Sequence, residues 1–407
     1  MTGSDGVGIA EAFDISAIAP GFAEDPFPVY RALLEHAPVK HFPDGSVMLS
    51  RWADLDRVYR DTATFSSDKK VEFRPKFGDT PLYEHHTTSL VFSDPPLHTR
   101  VRKIMVGALN PKALAAMEPG LVHLIDRLVD ELAGKTGVDL VEDFASRIPV
   151  EVIGNLFDIP HEERGPLRDW SLAILGALEP VLSAGQLDSG NRAVTGFKAY
   201  MKDLVRRRMA NPGNPDTDVL TRLIEGVGGE NLSEVELLQN CIFILNAGHE
   251  TTTNLIGNAL HLLHEWPGER DRLIADPSLI HTAVDEFLRF QSPNQLGNRM
   301  TTAEAEFHGE VIPAGTRIHL AIGAANRDPR QFPEPDRLDL ARKPNKHLAF
   351  AGGPHLCVGF SLARMEGRIA IARFLERFPD FHISGKAERT GRVRFRGFSH
   401  LPARLGG

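Results

Sequence analysis

Cysteine is scarce in this chain. Only Cys241 and Cys357 occur among 407 residues. Two cysteines cannot build a disulfide framework, and a chain of this length can bury a large core without one. An iron–sulfur cluster is also excluded, because its usual ligand set is four cysteines. The low count fits a reducing compartment, so we expect a cytoplasmic protein.

Long apolar runs and an excess of positive charge are missing as well. No stretch of about 18 apolar residues appears, and the first residues show no basic segment followed by an apolar run. Lys and Arg number 46 against 54 Asp and Glu, a formal net charge of -8 that argues against binding to nucleic acid. We therefore expect no membrane and no nucleic acid among the partners, a small-molecule substrate, and a monomer.

The sequence contains no linker rich in Gly, Ser or Pro and no internal repeat. Residues 1–407 are therefore predicted to form a single domain, with residues 1–25 as a flexible N-terminal segment. From residue 113 to about residue 288, apolar residues recur at intervals of three and four, which indicates helices. A hairpin is predicted at residues 39–42 and 46–49, and further strands at residues 305–307 and 317–320. The predicted fold class is mainly α, a large helical domain with a small β-rich subdomain.

The longest predicted helix begins after Ser233, which forms a capping box with Glu236, and ends at Trp266, before Pro267 and Gly268. At about 1.5 Å per residue it would be about 50 Å long. Its middle carries residues 247–252, AGHETT, which a simple core helix would avoid. Glycine weakens a helix and Thr hydroxyls compete for its carbonyls, so a kink or groove is predicted here.

Cys357 lies in a glycine-bounded turn, residues 350–359 (FAGGPHLCVG), directly before a predicted helix. Backbone N–H groups and the positive end of a helix lower the pKa of a thiol and stabilise its thiolate. The glycines let the main chain bend sharply and approach a flat cofactor closely. The turn therefore predicts a thiolate ligand for a metal.

The spacing Phe-x-x-Gly-x-His-x-Cys-x-Gly in this turn resembles the haem-binding signature of the cytochrome P450 family. The resemblance extends from about Pro26 to Leu405 and implies the cytochrome P450 fold, with haem b as cofactor and Cys357 as the axial ligand of its iron. It implies further haem contacts by Ala247, Gly248, Phe350, Gly353, Cys357 and Gly359. Two departures from the family pattern are minor: Ala351 where glycine is frequent, and Leu97 where an acidic residue is frequent.

A haem carries two propionates, so cations or neutral donors are expected at its edge. Four side chains match the positions that bind propionates in the family: His98, Arg102, Arg299 and His355. His98 and Arg102 are four residues apart and so share one face of a predicted helix.

Two further motifs resemble the family pattern. Glu250 and Thr251 supply an adjacent carboxyl and hydroxyl, which a proton relay for oxygen activation requires. The resemblance implies that both are catalytic, with Glu where Asp is also common. Glu286 and Arg289 share a helix face, and together with Arg337 they resemble the structural triad of the family.

The resemblance also implies a set of pocket residues, most of them apolar. They are Thr88, Leu90, Val91, Phe243, Ile244, Ala247, Asn294, Gln295, Leu296, Phe395 and Phe398. Asn294 stands where an apolar residue is common, so we expect a substrate with an oxygen function near the haem. Four residues in the preceding loop could meet a carboxylate or simply be solvated: Arg74, Lys76, His85 and His86.

These motifs predict a haem-thiolate monooxygenase that inserts one atom of O₂ into a small, largely hydrophobic substrate, aromatic or oxygenated compounds included. The chain has no flavin- or nicotinamide-binding segment, so an external ferredoxin and ferredoxin reductase are implied as electron donors. Three alternatives stay open: a peroxygenase that uses hydrogen peroxide, a non-enzymatic haem-thiolate sensor, and a helical protein without haem.

Overall fold

Helices make up 57% of the chain in the computed structural model, which describes residues 3–215, 218–226 and 231–406. The α-helices of this part are α1 (Gly3–Ala12), α2 (Gly21–Glu24), α3 (Phe27–His36), α4 (Trp52–Arg60), α5 (Lys70–Phe77), α6 (Pro81–Thr88), α7 (Leu97–Ala108), α8 (Pro111–Leu132), α9 (Arg147–Leu156), α10 (Leu167–Gly176), α11 (Ala184–Ala210), α12 (Val219–Glu225), α13 (Glu234–Glu265), α14 (Pro267–Ala275), α15 (Ile280–Phe290), α16 (Ile322–Ala325) and α17 (Phe360–Arg377). The predicted mainly α class is confirmed. No helix among these described residues is both long and apolar enough to span a bilayer.

The strands are short. They are β1 (Val39–His41), β2 (Val47–Leu49), β3 (Phe65–Ser66), β4 (Val138–Asp139), β5 (Leu296–Thr301), β6 (Ala305–Phe307), β7 (Glu310–Ile312), β8 (Arg317–Ala321), β9 (His382–Ile383), β10 (Glu388–Arg389), β11 (Phe398–His400) and β12 (Pro402–Arg404). The largest sheet has the order β1-β2-β8-β5-β3, in which only β2 and β8 run parallel. The predicted hairpin is confirmed, with Val39 opposite Leu49.

The capping box predicted at the start of the longest helix is present in α13. The Ser233 hydroxyl accepts from the backbone N–H of Glu236 at 3.3 Å, and the Glu236 carboxylate accepts from the N–H of Ser233 at 2.8 Å. The helix crosses the main apolar core and packs against α9, α10, α11 and α17. It therefore lies between the elements that carry most of the predicted site.

The N-terminal segment differs from its prediction as a flexible stretch. Residues 3–25 contain two helices, and Phe13, Ile15 and Phe22 are buried. The ring of Phe22 lies 5.3 Å from that of Phe13 and 5.6 Å from that of Tyr30. The apolar residues of this segment cover Leu296 and neighbouring strand residues, so burial of apolar surface holds the segment in place.

Candidate active site

The middle of α13 presents one face that is not fully buried. Most residues between 237 and 260 are inaccessible, but five keep accessible surface: Phe243, Ile244, Ala247, Gly248 and Thr251. Phe243, Ala247 and Thr251 are spaced by four and therefore line up along the helix. This face of α13 therefore stays accessible, whereas the rest of the helix middle is buried.

The predicted weak turn at residues 247–252 remains α-helical and lies within the continuous helix α13. The Thr251 hydroxyl donates to the carbonyl of Ala247 at 2.9 Å. Gly248 was expected among the haem contacts. A side chain at that position would instead meet Ile153, because an added Cβ would lie 2.4 Å from its Cδ1. Gly248 therefore allows the close approach of α9 to α13.

Glu250 is buried beside Thr251, with 2% of its surface exposed. Its Oε1 accepts from the guanidinium of Arg392, while its Oε2 has no partner among the described residues. The Nε of Arg392 also donates to Glu179 at 3.2 Å. Burial raises the pKa of Glu250 to about 7, although the charge of Arg392 lowers it. A carboxyl group with this pKa can exchange a proton at neutral pH.

The turn before α17 holds Cys357 by backbone contacts. The Cys357 N–H donates to the carbonyl of Phe350 at 2.9 Å. Gly353 has φ 59°, and a Cβ there would lie 2.2 Å from the carbonyl oxygen of Tyr59, so only glycine fits against the end of α4. Ala351 also has a positive φ, 57°, which explains why glycine suits this position better.

The two cysteines differ in access. Cys241 is fully buried, whereas Cys357 keeps accessible surface. Burial raises the pKa of the Cys357 thiol, and the N–H of Gly359 and the charges of Arg102 and Arg364 oppose that rise. The lowered pKa expected from the sequence is therefore outweighed by desolvation. A metal cation on the sulfur would supply the missing stabilisation of the thiolate.

The four predicted propionate ligands converge near this turn. The rings of His98 and His355 lie 4.0 Å apart, and the charges of Arg102 and Arg299 both act on these two histidines. His98 and Arg299 are buried, yet Nε2 of His98 and Nε of Arg299 have no hydrogen-bond partner among the described residues. Neither arginine forms an ion pair with any described carboxylate. Buried unpaired donors around an accessible thiol fit a cofactor that carries carboxylates, as haem does.

Phe350 and Gly359 flank the thiol on either side of the turn. The guanidinium of Arg364 lies 4.9 Å from the ring centroid of Phe350. An added Cβ on Gly359 would meet nothing within 4 Å. Gly359 therefore supplies a backbone N–H to the sulfur, and the haem contact expected of Phe350 stays a prediction.

The predicted structural triad needs a correction. Glu286 and Arg289 are fully buried and joined by two hydrogen bonds of 2.7 Å. Arg342, rather than Arg337, is the second basic residue, with its Nε 3.1 and 3.2 Å from the Glu286 oxygens. The side chain of Arg337 is exposed and pairs with Glu334, because its turn directs only its carbonyl toward Arg289.

Some of the predicted pocket residues lie together beside α13. Asn240, one turn before Phe243, bonds to the N–H of Leu90 at 2.9 Å and to the carbonyl of Thr88 at 3.4 Å, which holds the segment containing Val91 against the helix. Ile244 and Ala247 continue the same helix face.

Two further predicted pocket residues, Asn294 and Phe395, lie together. The two residues pair in an isolated β-bridge. Oδ1 of Asn294 is buried without a partner among the described residues, and the guanidinium of Arg392 lies 4.9 Å from the Phe395 ring centroid. Because Arg392 also reaches Glu250, these two residues lie next to the proposed proton relay.

Two predicted pocket residues point elsewhere. Gln295 packs on Gly323, where an added Cβ would lie 2.0 Å from its Oε1, and donates to the carbonyl of Ser292 at 2.6 Å. Successive residues of an extended segment face opposite sides, so Gln295 turns away from the side of Asn294. The ring of Phe398 stacks on that of His261, with the ring centroids 4.7 Å apart. His261 follows Thr251 by ten residues, so it lies about 15 Å further along α13. Leu296 faces the same side as Asn294, where it borders a second cavity and is covered by the N-terminal segment.

Sequence reasoning missed Arg392 and Arg342. Arg392, Arg394 and Arg396 alternate in an extended segment near the end of the chain. Three arginines at every second position among apolar residues could have predicted buried ion pairs. A charged side chain that alternates with buried residues needs a partner of opposite charge or a hydrogen-bond acceptor.

The comparisons with known proteins agree with this geometry. The cytochrome P450 family model matches residues 175–391. The chain belongs to the cytochrome P450 family. It is accordingly a haem-thiolate monooxygenase, an oxidoreductase that uses a cysteine thiolate as iron ligand.

Three proteins illustrate what this cytochrome P450 is similar to. Cytochrome P450 107B1 of Saccharopolyspora erythraea is 39% identical over 77% of this chain and 76% of that protein. Vitamin D(3) 25-hydroxylase of Pseudonocardia autotrophica is 35% identical over 95% of both chains. The crystal structure of P450BioI in complex with acyl carrier protein ligated to hexadec-9Z-enoic acid superposes with a TM-score of 0.89, at 30% identity, over 95% of this chain and 100% of that one.

Proposed function

We propose that this cytochrome P450 inserts one oxygen atom from O₂ into a small, largely hydrophobic substrate, with electrons from an external ferredoxin and its reductase. The observation that carries the proposal is the pairing of a buried carboxyl, Glu250, with Thr251 on the accessible face of α13. A protein that only senses a ligand needs no such pair.

The cofactor would be held from two sides. Cys357 would bind the iron through its thiolate, and Phe350 and Ala247 would contact the cofactor. His98, Arg102, Arg299 and His355 would bind the propionates, which supply the carboxylates that these donors lack. The haem supplies the activation of O₂.

The protein's own part is the handling of protons. Thr251 Oγ1 donates to the carbonyl of Ala247, which leaves its lone pairs free to accept a hydrogen bond from a group in the pocket. Glu250 has a free Oε2 and a pKa of about 7, so it can bind and release a proton near neutral pH. Arg392 keeps the carboxyl from remaining permanently protonated, because its charge lowers that pKa.

The substrate would lie against the apolar residues of the predicted pocket, Leu90, Val91, Phe243, Ile244 and Phe395. The unpartnered Oδ1 of Asn294 would accept a hydrogen bond from a polar group on the substrate. A largely apolar molecule with one oxygen function fits these contacts.

The experiment compares product formation by the purified holoprotein with two oxidants, O₂ and hydrogen peroxide. In one arm, a ferredoxin, its reductase, NADPH and O₂ are supplied. In the other, hydrogen peroxide alone is supplied. We expect product formation to depend on the ferredoxin system, and incorporation of one ¹⁸O atom from ¹⁸O₂. Faster turnover with peroxide than with ferredoxin would overturn the proposal in favour of a peroxygenase.

A further inference from the structure

A cavity of about 460 Å³ lies apart from the accessible face of α13. It is bordered by α5, by the segment between α10 and α11, and by strands β5 and β8. Ile15 and Ser16 of the N-terminal segment form part of its wall. Strand β5 connects it to the haem edge, because Asn298 lines this cavity and the next residue, Arg299, belongs to the cation cluster around His355.

Much of the cavity wall is apolar. Phe73, Leu178, Leu187 and Leu296 contribute to it. Leu296 lies two residues after Asn294 on the same face of the extended chain, so the apolar wall continues toward the proposed substrate pocket. The cavity therefore offers a path for the body of an apolar substrate.

Most charges on this wall already have partners. Arg317 pairs with Asp44 at 2.5 Å, and Glu72 pairs with Lys69 at 2.8 Å. Desolvation lowers the pKa of His319 to about 4, so it is neutral at pH 7. These residues contribute little net charge to the cavity.

Lys76 and Arg394 are the exceptions. The ammonium group of Lys76 donates to the backbone carbonyl of Glu179 at 2.9 Å, and the guanidinium of Arg394 donates to the backbone carbonyl of Leu178 at 3.1 Å. Neither cation forms an ion pair with any carboxylate of the described residues. The Glu179 carboxylate is itself engaged, since it accepts from Arg392 and from the N–H groups of residues 393 and 394 at 2.9 to 3.2 Å.

Both cations are held in place yet lack an anion. Burial lowers the pKa of Lys76 to about 8 and also lowers that of Arg394. Two desolvated positive charges near one another repel, and an anion between them would offset both costs. A guanidinium also offers two parallel donors that match the two oxygens of a carboxylate.

We propose that the substrate carries a carboxylate, which Lys76 and Arg394 bind at this cavity while its apolar body extends along Leu296 toward the haem. The inference rests on the proposed monooxygenase function and names its substrate class, an apolar carboxylic acid. Of the other charged loop residues considered from the sequence, Arg74 is exposed and paired with Asp79, and His85 is buried and bonded to Gln239. Only Lys76 reaches the cavity wall.

The test measures binding to the ferric holoprotein at pH 7 from the spin-state shift of the haem. Phenylacetic, dodecanoic and hexadecanoic acids are each compared with their methyl esters, which keep the apolar body but lose the charge. We expect at least one acid to bind about tenfold or more tightly than its ester. If no acid is preferred over its ester, the inference is wrong.

Variants locate the effect. Lys76→Met and Arg394→Gln should each weaken binding of the preferred acid by about tenfold and leave its ester unchanged. Arg74→Met is the matched control, since Arg74 lies on the same helix with its charge already paired. An equal loss for acid and ester would mean a change of shape rather than loss of an anion site.

The reduced carbon monoxide spectrum of every variant separates the two claims. Absence of thiolate ligation in the wild type would refute the proposed function, whereas absence of acid preference with that ligation intact refutes only this inference.

Discussion

Arg392 forms an ion pair with Glu250, although 142 residues separate them in the chain. The pair lies beneath Phe395 and next to Thr251, where the accessible face of α13 ends. Burial raises the pKa of Glu250, and the guanidinium limits that rise. The segment before β11 therefore lowers the pKa of a buried carboxyl on the central helix.

The first prediction concerns the pH dependence of turnover. The Glu250 carboxyl, with a pKa of about 7, is protonated below that pH and loses its proton above it. If it supplies protons, the wild-type rate falls as the pH rises through 7. Glu250→Gln should remove this inflection and reduce turnover by about 100-fold. Steady-state product formation between pH 5.5 and 9 measures both effects.

Arg392→Met should move the same inflection to higher pH, because it removes the positive charge that lowers the pKa of Glu250. Two exposed residues serve as controls: Glu265→Gln at the end of α13, and Lys386→Met. Both controls should retain the wild-type profile. An inflection that persists in Glu250→Gln would assign the titration to another group.

Thr251→Ala should uncouple electron consumption from product formation. The variant loses the hydroxyl on the accessible face, so we expect about tenfold less product and more hydrogen peroxide per NADPH consumed. Thr253→Ala is the matched control. Its hydroxyl makes the same type of bond, to the carbonyl of His249 at 3.1 Å, but the residue is buried away from that face. Equal uncoupling in both variants would contradict the assigned role.

Arg342→Met and Arg337→Met should differ in stability. Arg342 donates to the carboxylate of the fully buried Glu286. Its removal takes away one of the two arginines that pair with this buried charge, and it should lower the unfolding free energy by about 3 kcal/mol. Arg337 pairs only with the exposed Glu334, and its loss should change stability by less than about 0.5 kcal/mol. Urea unfolding of the holoprotein measures both; the reverse order would restore Arg337 to the triad.

Asn294→Val should weaken binding of oxygenated ligands selectively. The comparison uses 4-phenylbutan-1-ol and butylbenzene, which differ by one hydroxyl. The unpartnered Oδ1 of Asn294 should favour the alcohol in the wild type, and the variant should lose that preference, a change of about fivefold to tenfold. Spectral titration gives both dissociation constants. Unchanged alcohol affinity would remove Asn294 from the substrate contacts.

Local patterns predicted the parts of the site that depend on neighbours in sequence. The turn around Cys357 and the capping box of Ser233 were readable because their contacts span a few residues. Arg342 and Arg392 were not, since their partners Glu286 and Glu250 are brought to them only by tertiary packing. The sequence pattern pointed to Arg337 rather than Arg342, because the position of an arginine in the chain does not determine whether its side chain faces Glu286.

The pocket residues show the same division. The helix face of Phe243 and Ala247 followed from a period of four, which the continuous α13 preserves. Gln295 and Phe398 were misplaced because the resemblance gave their position along the chain but not the side that each residue faces. Lys76 could not be told apart from the other charged residues of its loop, because Arg394, which lines the same cavity, is more than 300 residues away in the chain.

The most direct test of the central claim is the carbon monoxide difference spectrum of the reduced holoprotein. The account predicts the red-shifted Soret band of thiolate-ligated haem in the wild type and in Cys241→Ser, and its loss in Cys357→Ser. Cys241 is buried without access to a cofactor, so its substitution controls for the removal of a cysteine as such. A band at the shorter wavelength of imidazole-ligated haem in the wild type, or a thiolate band that survives in Cys357→Ser, would contradict the assignment of Cys357 as the iron ligand.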